Sequence, residues 1–206
     1  YLITECGVES GSVKGTSNAG GILCSSRSFG TISKCYNKAA VSSMTGVAHT
    51  TAGGIVSRGQ YGQVTQCYNM GVITCDSGQV DTHVGGIWGF IMPETRNVRI
   101  KNCYNTGSVS AYTDSDAITI NRASVTDCFY LINSGNGVTG AAAVSDSVMK
   151  TWSFAYQLNG WTVDGGWKYN PDDYPSFGPL SCDWEKVGEA IYNDTVTGTD
   201  YKPVKN

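Results

Sequence analysis

The chain has 206 residues, enough for one sizeable core or for a body with an appended tail. Glycine accounts for 26 residues while Asp, Glu, Lys and Arg together make 15%, and Ser, Thr, Asn, Val and Tyr supply much of the rest, a makeup suited to strands and turns. A formal charge of −3 removes the electrostatic argument for nucleic acid or an acidic membrane surface, and no stretch approaches the roughly 18 apolar residues of a membrane span.

The opening YLITECG carries neither a basic n-region nor an apolar h-region, so it reads as the start of a soluble piece, and this does not exclude a secreted parent. Three segments then align: AGGILCSSRSFGTISKCYNKAAV, AGGIVSRGQYGQVTQCYNMGVI and VGGIWGFIMPETRNVRIKNCYNTGSV. Their Gly-Gly-Ile anchors begin at Gly20, Gly53 and Gly85, separated by 33 and 32 residues, and their cysteines are 32 and 36 apart. Variation therefore sits between anchor and cysteine, where insertions form loops.

Within each unit the spacing is fixed. Ile32, Val64, Ile100 and Val125 lie three residues before Cys35, Cys67, Cys103 and Cys128, and Val41, Ile73 and Val109 lie six after the first three of these. Residues three apart cannot share one face of a regular strand, so a corner is expected at the intervening polar residue: Lys34, Gln66, Asn102 or Asp127. Asn102 and Asp127 suit left-handed backbone angles; Lys34 and Gln66 suit them less well. Each unit reads as three short strands, one at Gly-Gly-Ile, one ending before the cysteine and one from it to the later aliphatic residue. One unit alone cannot bury its apolar face, whereas four or five stacked in parallel can. The expectation is an all-β fold, a right-handed parallel β-helix over residues 1–144, with the handedness taken from the general rule for parallel crossovers.

The Gly-Gly-Ile anchor followed by aliphatic–x–polar–Cys–Tyr–Asn–x–Gly–x–Val resembles the GLUG-type repeat of bacterial surface proteins, a class that includes segments of IgA-cleaving metallopeptidases and adhesin-like chains. The resemblance covers about residues 1 to 130. It implies a β-helical region of a bacterial cell-surface or secreted protein, hence an extracellular location. One departure is that the glycine expected soon after the Gly-Gly pair survives as Gly89 but is Cys24 or Ser25 in the first unit and Ser57 or Arg58 in the second.

After Cys128 the pattern fades. Over 145–180, Val148, Trp152, Ala155 and Leu158 recur at helical spacing, with Ser145 as a cap and Asn159-Gly160 as a stop. A helical and aromatic cap closing the open end of the stack is expected there, because an uncovered last coil exposes core and strand edges. Residues 181–206 read as a short helix with a polar tail, or the start of a following module, which makes the parent a larger multidomain chain.

Chemistry-bearing residues have structural readings that fit better. A cysteine recurring once per repeat is an inward plug, so Cys35, Cys67, Cys103 and Cys128 are expected as a ladder of free thiols, their parallel Cβ vectors opposing disulfides. Asn37, Asn69 and Asn105 are expected as an amide ladder at a turn, and Tyr36, Tyr68 and Tyr104 as an outward aromatic stripe. His49 and His83 sit on another strand from the cysteines, which disfavours a Cys–His nucleophile. No Cys-x-x-Cys pair supports zinc, and Asp114/Asp116 and Asp172/Asp173 lack the ligand count of a calcium loop. No catalytic residue, cofactor or metal is called for. Trp152, Trp161, Trp167, Tyr169 and Tyr174 are the candidate glycan platform, against a reading in which these rings seal the cap; Trp88 sits in the third anchor. The function expected is a noncatalytic structural or adhesive module with a host glycan or protein as partner and no membrane insertion. The alternative is a glycan-active β-helix enzyme, or an accessory domain of a secreted hydrolase or peptidase.

Overall fold

A computed structural model describes residues 1–44, 49–75, 81–92, 97–120 and 123–178. The expected tail at 181–206, including Cys182, lies outside the described residues. The chain divides into two compact units, Tyr1–Val144 and a second beginning at Ser145.

The first unit is a parallel β-solenoid. The second coil shows the plan: short strands at Thr31–Ser33, Tyr36–Asn37, Ala40–Ser43, Thr50–Gly53 and Val56–Gly59. Each strand pairs in parallel with its counterparts in the coils before and after, giving five stacked sheets. Three coils carry all five strands. Among the described residues the fourth has four, with Thr119 bridging Trp88 where the fifth would be, and beyond it the first two sheets continue.

Five strands per coil replace the three expected, for two reasons. Gly-Gly-Ile is not a strand but the bend between two of them, Thr50–Gly53 and Val56–Gly59 in the second coil. The stretch from cysteine to later aliphatic residue also breaks in two, because the Asn37 side-chain amide donates to the Ala39 carbonyl at 2.8 Å and turns the chain; Asn69 to Gly71 and Asn105 to Gly107 repeat this at the same length.

The corner before each cysteine is present in every coil. Glu5, Lys34, Gln66, Asn102 and Asp127 have φ of 58°, 51°, 51°, 52° and 51°, so even residues that disfavour the left-handed region adopt it. The reward is inward placement of both neighbours: Ile32, Val64 and Ile100 stack in register and Cys35, Cys67 and Cys103 lie beside them, all essentially inaccessible. A non-glycine residue there costs about 1–2 kcal/mol, whereas glycine costs about 0.4–1 kcal/mol in the unfolded chain, so Lys34→Gly is expected to raise stability by about 0.5–1 kcal/mol. The Lys34–Glu5 pair that would be lost is 4.0 Å long and exposed, and offsets little. Urea unfolding checks this, and an unchanged or lower midpoint would show that the corner is unstrained.

The C-terminal end of the stack is closed by its own chain. Val109 N donates to Ser134 O and Ala117 N to Asn136 O, both at 2.7 Å, while Val138 and Ala141 pack against the core. Strand Ala141–Val144 then returns beside Cys128–Leu131.

In the second unit, the single helix expected from the 145–158 pattern is two. Helix α1 spans Asp146–Met149 and α2 spans Trp152–Leu158. Thr151 separates them: its hydroxyl donates to Val148 O at 2.7 Å and accepts from Phe154 N at 3.1 Å, ending one helix and capping the next. Ser145 makes no side-chain cap, and Met149 rather than Val148 is buried. A hairpin of Trp167–Asn170 and Asp173–Phe177 follows, tied to α2 by Asn159, whose Nδ2 donates to Trp167 O at 2.9 Å and whose Oδ1 accepts from Trp167 N at 2.8 Å.

Candidate functional site

The recurrent Cys-Tyr-Asn triplet spends its chemistry on itself. Each ladder thiol donates to the carbonyl two residues earlier, at 3.2 Å in Cys35, Cys67, Cys103 and Cys128 alike, and the Sγ of Cys67 and of Cys103 accepts the backbone N–H of the preceding coil's cysteine at 3.4 Å. Burial pushes the thiols of Cys67, Cys103 and Cys128 well above their ordinary range, which removes the thiolate a nucleophile or metal ligand requires. The seven described cysteines are all free.

Asn37, Asn69 and Asn105 are fully buried and joined in series: Asn37 Nδ2 donates to Asn69 Oδ1 and Asn69 Nδ2 to Asn105 Oδ1, both at 2.7 Å. Tyr36, Tyr68 and Tyr104 stack face to face with centroids 5.1 Å apart, and Tyr68 and Tyr104 are buried. From Cys35 to Cys128 the thiol column is buried, as are the amides; the exposed thiol of the column is that of Cys6 in the first coil.

Polar side chains converge instead near the Gly-Gly bend, between the strands on its two sides. In the second coil Thr51 Oγ1 lies 2.6 Å from Ser57 Oγ and donates to Asn18 Oδ1 of the first coil at 2.8 Å. In the third, the His83 ring stacks on Phe90 at 4.5 Å and 14°. His83 Nδ1 is 3.2 Å from Asp114 Oδ2 of the fourth coil, close in distance but off the hydrogen-bond direction. His49 and Asp81 form a similar pair at 3.1 Å on the exposed surface. The ladder thiols bond main chain, and the Thr51 and Ser57 hydroxyls bond each other. Among the described residues no three His, Cys, Asp or Glu side chains are grouped as a metal ion would require.

A further anchor is hidden in the sequence. Asp116-Ala117-Ile118 occupies the place of Gly85-Gly86-Ile87 one coil earlier, in direct register. Asp116 Oδ1 accepts from Ile118 N at 2.9 Å and Thr119 N at 3.2 Å, holding the bend that two glycines make elsewhere. Desolvation nonetheless raises its carboxyl above the ordinary value. A folded-state pKa above the unfolded one means that this group's contribution is fully present below about pH 3.9 and is lost as pH rises through the folded value. Asp116→Asn retains the accepting oxygen without the charge. Its melting temperature relative to the native chain is therefore expected to rise between about pH 3 and pH 7. A difference independent of pH would refute this.

The five aromatic residues singled out by sequence do not form one open platform. Trp167 is fully buried and tilted against Phe177 at 5.0 Å, and Trp152 is buried and stacked on Tyr156 at 4.9 Å. Tyr174 is half-buried; its hydroxyl donates to Asp146 Oδ1 at 2.5 Å and Lys150 lies over its ring at 5.0 Å. Tyr169 is likewise half-buried. Trp161 is 42% exposed, set edge-on to Tyr156 at 5.7 Å, and held at φ 63° with its N–H donated to Tyr156 O at 2.9 Å. Trp88 is buried in the solenoid core.

No family model matches the sequence, and no curated protein matches it. A solved structure from Bacteroides ovatus, described as a "putative immunoglobulin A1 protease", is similar, with 26% sequence identity and a TM-score of 0.64 over 85% of this chain. The chain spans 57% of the length of that one.

Proposed function

We propose that the chain is a noncatalytic β-solenoid module of an extracellular bacterial protein, a rigid spacer that accompanies a catalytic or anchoring region and offers Trp161 as a contact for host glycan or protein. The observation that carries this reading is the internal use of the repeated side chains: thiols, amides and phenols bond or stack between coils. A stiff stack is what such columns produce. The GLUG-type pattern of residues 1–130 supports a cell-surface or secreted setting. Likeness to a longer chain described as a protease supports the more specific role of an accessory region of a secreted peptidase.

Two measurements on the purified chain test this. Incubation with immunoglobulin A1 and with a panel of polysaccharides is expected to release no peptide and no reducing end. Turnover that survives purification and is lost on His83→Ala would overturn the noncatalytic reading. On a glycan and glycoprotein array, any retained ligand is expected to bind about three- to tenfold more weakly to the Trp161→Ala chain, the scale of one aromatic contact. Retention indifferent to Trp161 would remove that residue from the proposal.

A further inference from the structure

The two ends of the solenoid are unequal. At the C-terminal end Ser134 and Asn136 take up Val109 N and Ala117 N of the fourth coil, and Val138 covers core. At the other end the strands Leu2–Thr4, Gly7–Val8, Ser12–Gly15, Asn18–Gly20 and Leu23–Ser26 are each the outermost member of their sheet. Their inward residues remain partly open: Ile3, Val8 and Val13 are half-buried, where their register partners Ile32, Asn37 and Val41 are inaccessible. Cys6 is exposed, although it occupies the column in which Cys35, Cys67 and Cys103 are buried.

This face is shaped like the inside of the stack. Glu5 already holds the left-handed corner at φ 58°, and the Cys6 thiol makes the ladder's contact to the carbonyl two residues back, Thr4 O, at 3.4 Å. Between coils two backbone bonds recur at this corner. The corner N–H donates forward, Glu5 N to Ser33 O at 3.2 Å and Lys34 N to Thr65 O at 3.2 Å, while the next coil donates back, Tyr36 N to Cys6 O at 3.0 Å and Tyr68 N to Cys35 O at 3.1 Å. One layer below, the same pattern would bring a corner N–H to Thr4 O and a cysteine-position carbonyl to Gly7 N.

We infer that the first coil is a docking surface for a further parallel β-coil of the same chemistry, with an aliphatic residue over Ile3, a left-handed corner over Glu5 and a small residue over Cys6. The face continues the coil–coil interface already repeated through the molecule, and so specifies parallel direction, register and side-chain size. A second copy docked head to tail does not supply that coil, because its C-terminal face is occupied by Ser134 and Asn136.

A copy of residues 31–62 fused directly ahead of Leu2 supplies such a coil in register, since Gln63, which normally follows Gly62, shares the column of Thr31 and Leu2. Site-resolved alkylation of the native fold is expected to slow about tenfold or more at Cys6. Cys24 should slow as well, because its register counterpart in the second coil, Ser57, is inaccessible; the rate of Cys6 in the same fusion unfolded in urea serves as the reference. The same fusion carrying Ile32→Lys and Cys35→Asp in the added copy should leave Cys6 as reactive as in the parent chain. The inference is overturned if Cys6 is unprotected in the first fusion, or if Cys67 becomes reactive there because the stack no longer folds. It is also overturned if the unmodified chain protects Cys6 in a concentration-dependent way on sedimentation, which would make a second copy the occupant.

Discussion

Gly54→Ala is expected to be strongly damaging, costing about 4 kcal/mol or more and preventing folding if total stability is at the low end of the ordinary range. A Cβ at Gly54 would lie inside van der Waals contact of the Gly86 carbonyl oxygen of the next coil and 2.5 Å from Asn69 Cγ. Neither can retreat. The carbonyl belongs to the backbone of a stacked layer, and Asn69 is fixed by bonds to coils on both sides. The layers would have to separate locally, breaking sheet hydrogen bonds. The same column contains its own control, because its fourth member is Ala117, which faces the crossover segment at Asn136 instead of another Gly-Gly bend. Ala117→Gly is therefore expected to change stability by less than about 1 kcal/mol. Parallel urea titrations of the two variants decide the matter, and comparable losses would mean that layer contact is not the cause.

Asn69→Ala is expected to cost about 3–5 kcal/mol. The side chain donates to Gly71 O at 2.8 Å and Asn105 Oδ1 at 2.7 Å and accepts from Asn37 at 2.7 Å, in a site without solvent. Alanine leaves a carbonyl and two amides short of partners, each worth roughly 1–3 kcal/mol when buried. Asn37→Ala, at the end of the series, breaks one bond between coils where Asn69→Ala breaks two, and should cost less. An end substitution as harmful as the central one would argue against a connected ladder and for a local turn effect. Asn69→Asp separates the roles further: a carboxylate can accept from Asn37 but cannot donate to Asn105, so the loss should persist at neutral pH and shrink as acid protonates it.

Much of the solenoid could be read from spacing. Three-residue separation of Ile32 and Cys35 required a corner, and the corner exists even at Lys34 and Gln66, where intrinsic preference argues against it; the tertiary gain of two inward side chains outweighs the local cost. The strand count was not legible, because what divides the stretch after each cysteine is a side-chain bond from Asn37, Asn69 or Asn105, and such a bond leaves no periodicity. Asp116-Ala117-Ile118 was missed for a related reason. A carboxylate can hold a bend that glycines elsewhere permit, and only the spacing of Ile118, 31 residues beyond Ile87, hints at it. The helical pattern near 145–158 was read as one helix because Thr151 is neutral by propensity; its hydroxyl ends α1 and begins α2. For the aromatic residues, composition gave the identities and not the exposures. Trp152, Trp161 and Trp167 look alike in sequence, yet burial separates the third from solvent altogether and leaves the second open.

The amide series runs one way, each Asn donating toward the C-terminal end and the last reaching toward Ser134 Oγ at 3.5 Å. Length in this architecture is consequently quantised. Insertion or loss of one whole coil leaves every column continuous, whereas a shift of one residue within a strand exchanges inside for outside and cuts thiol, amide and phenol columns together. Gene duplication and deletion can thus lengthen or shorten the stack in steps of one layer, roughly 4.8 Å each, without new chemistry.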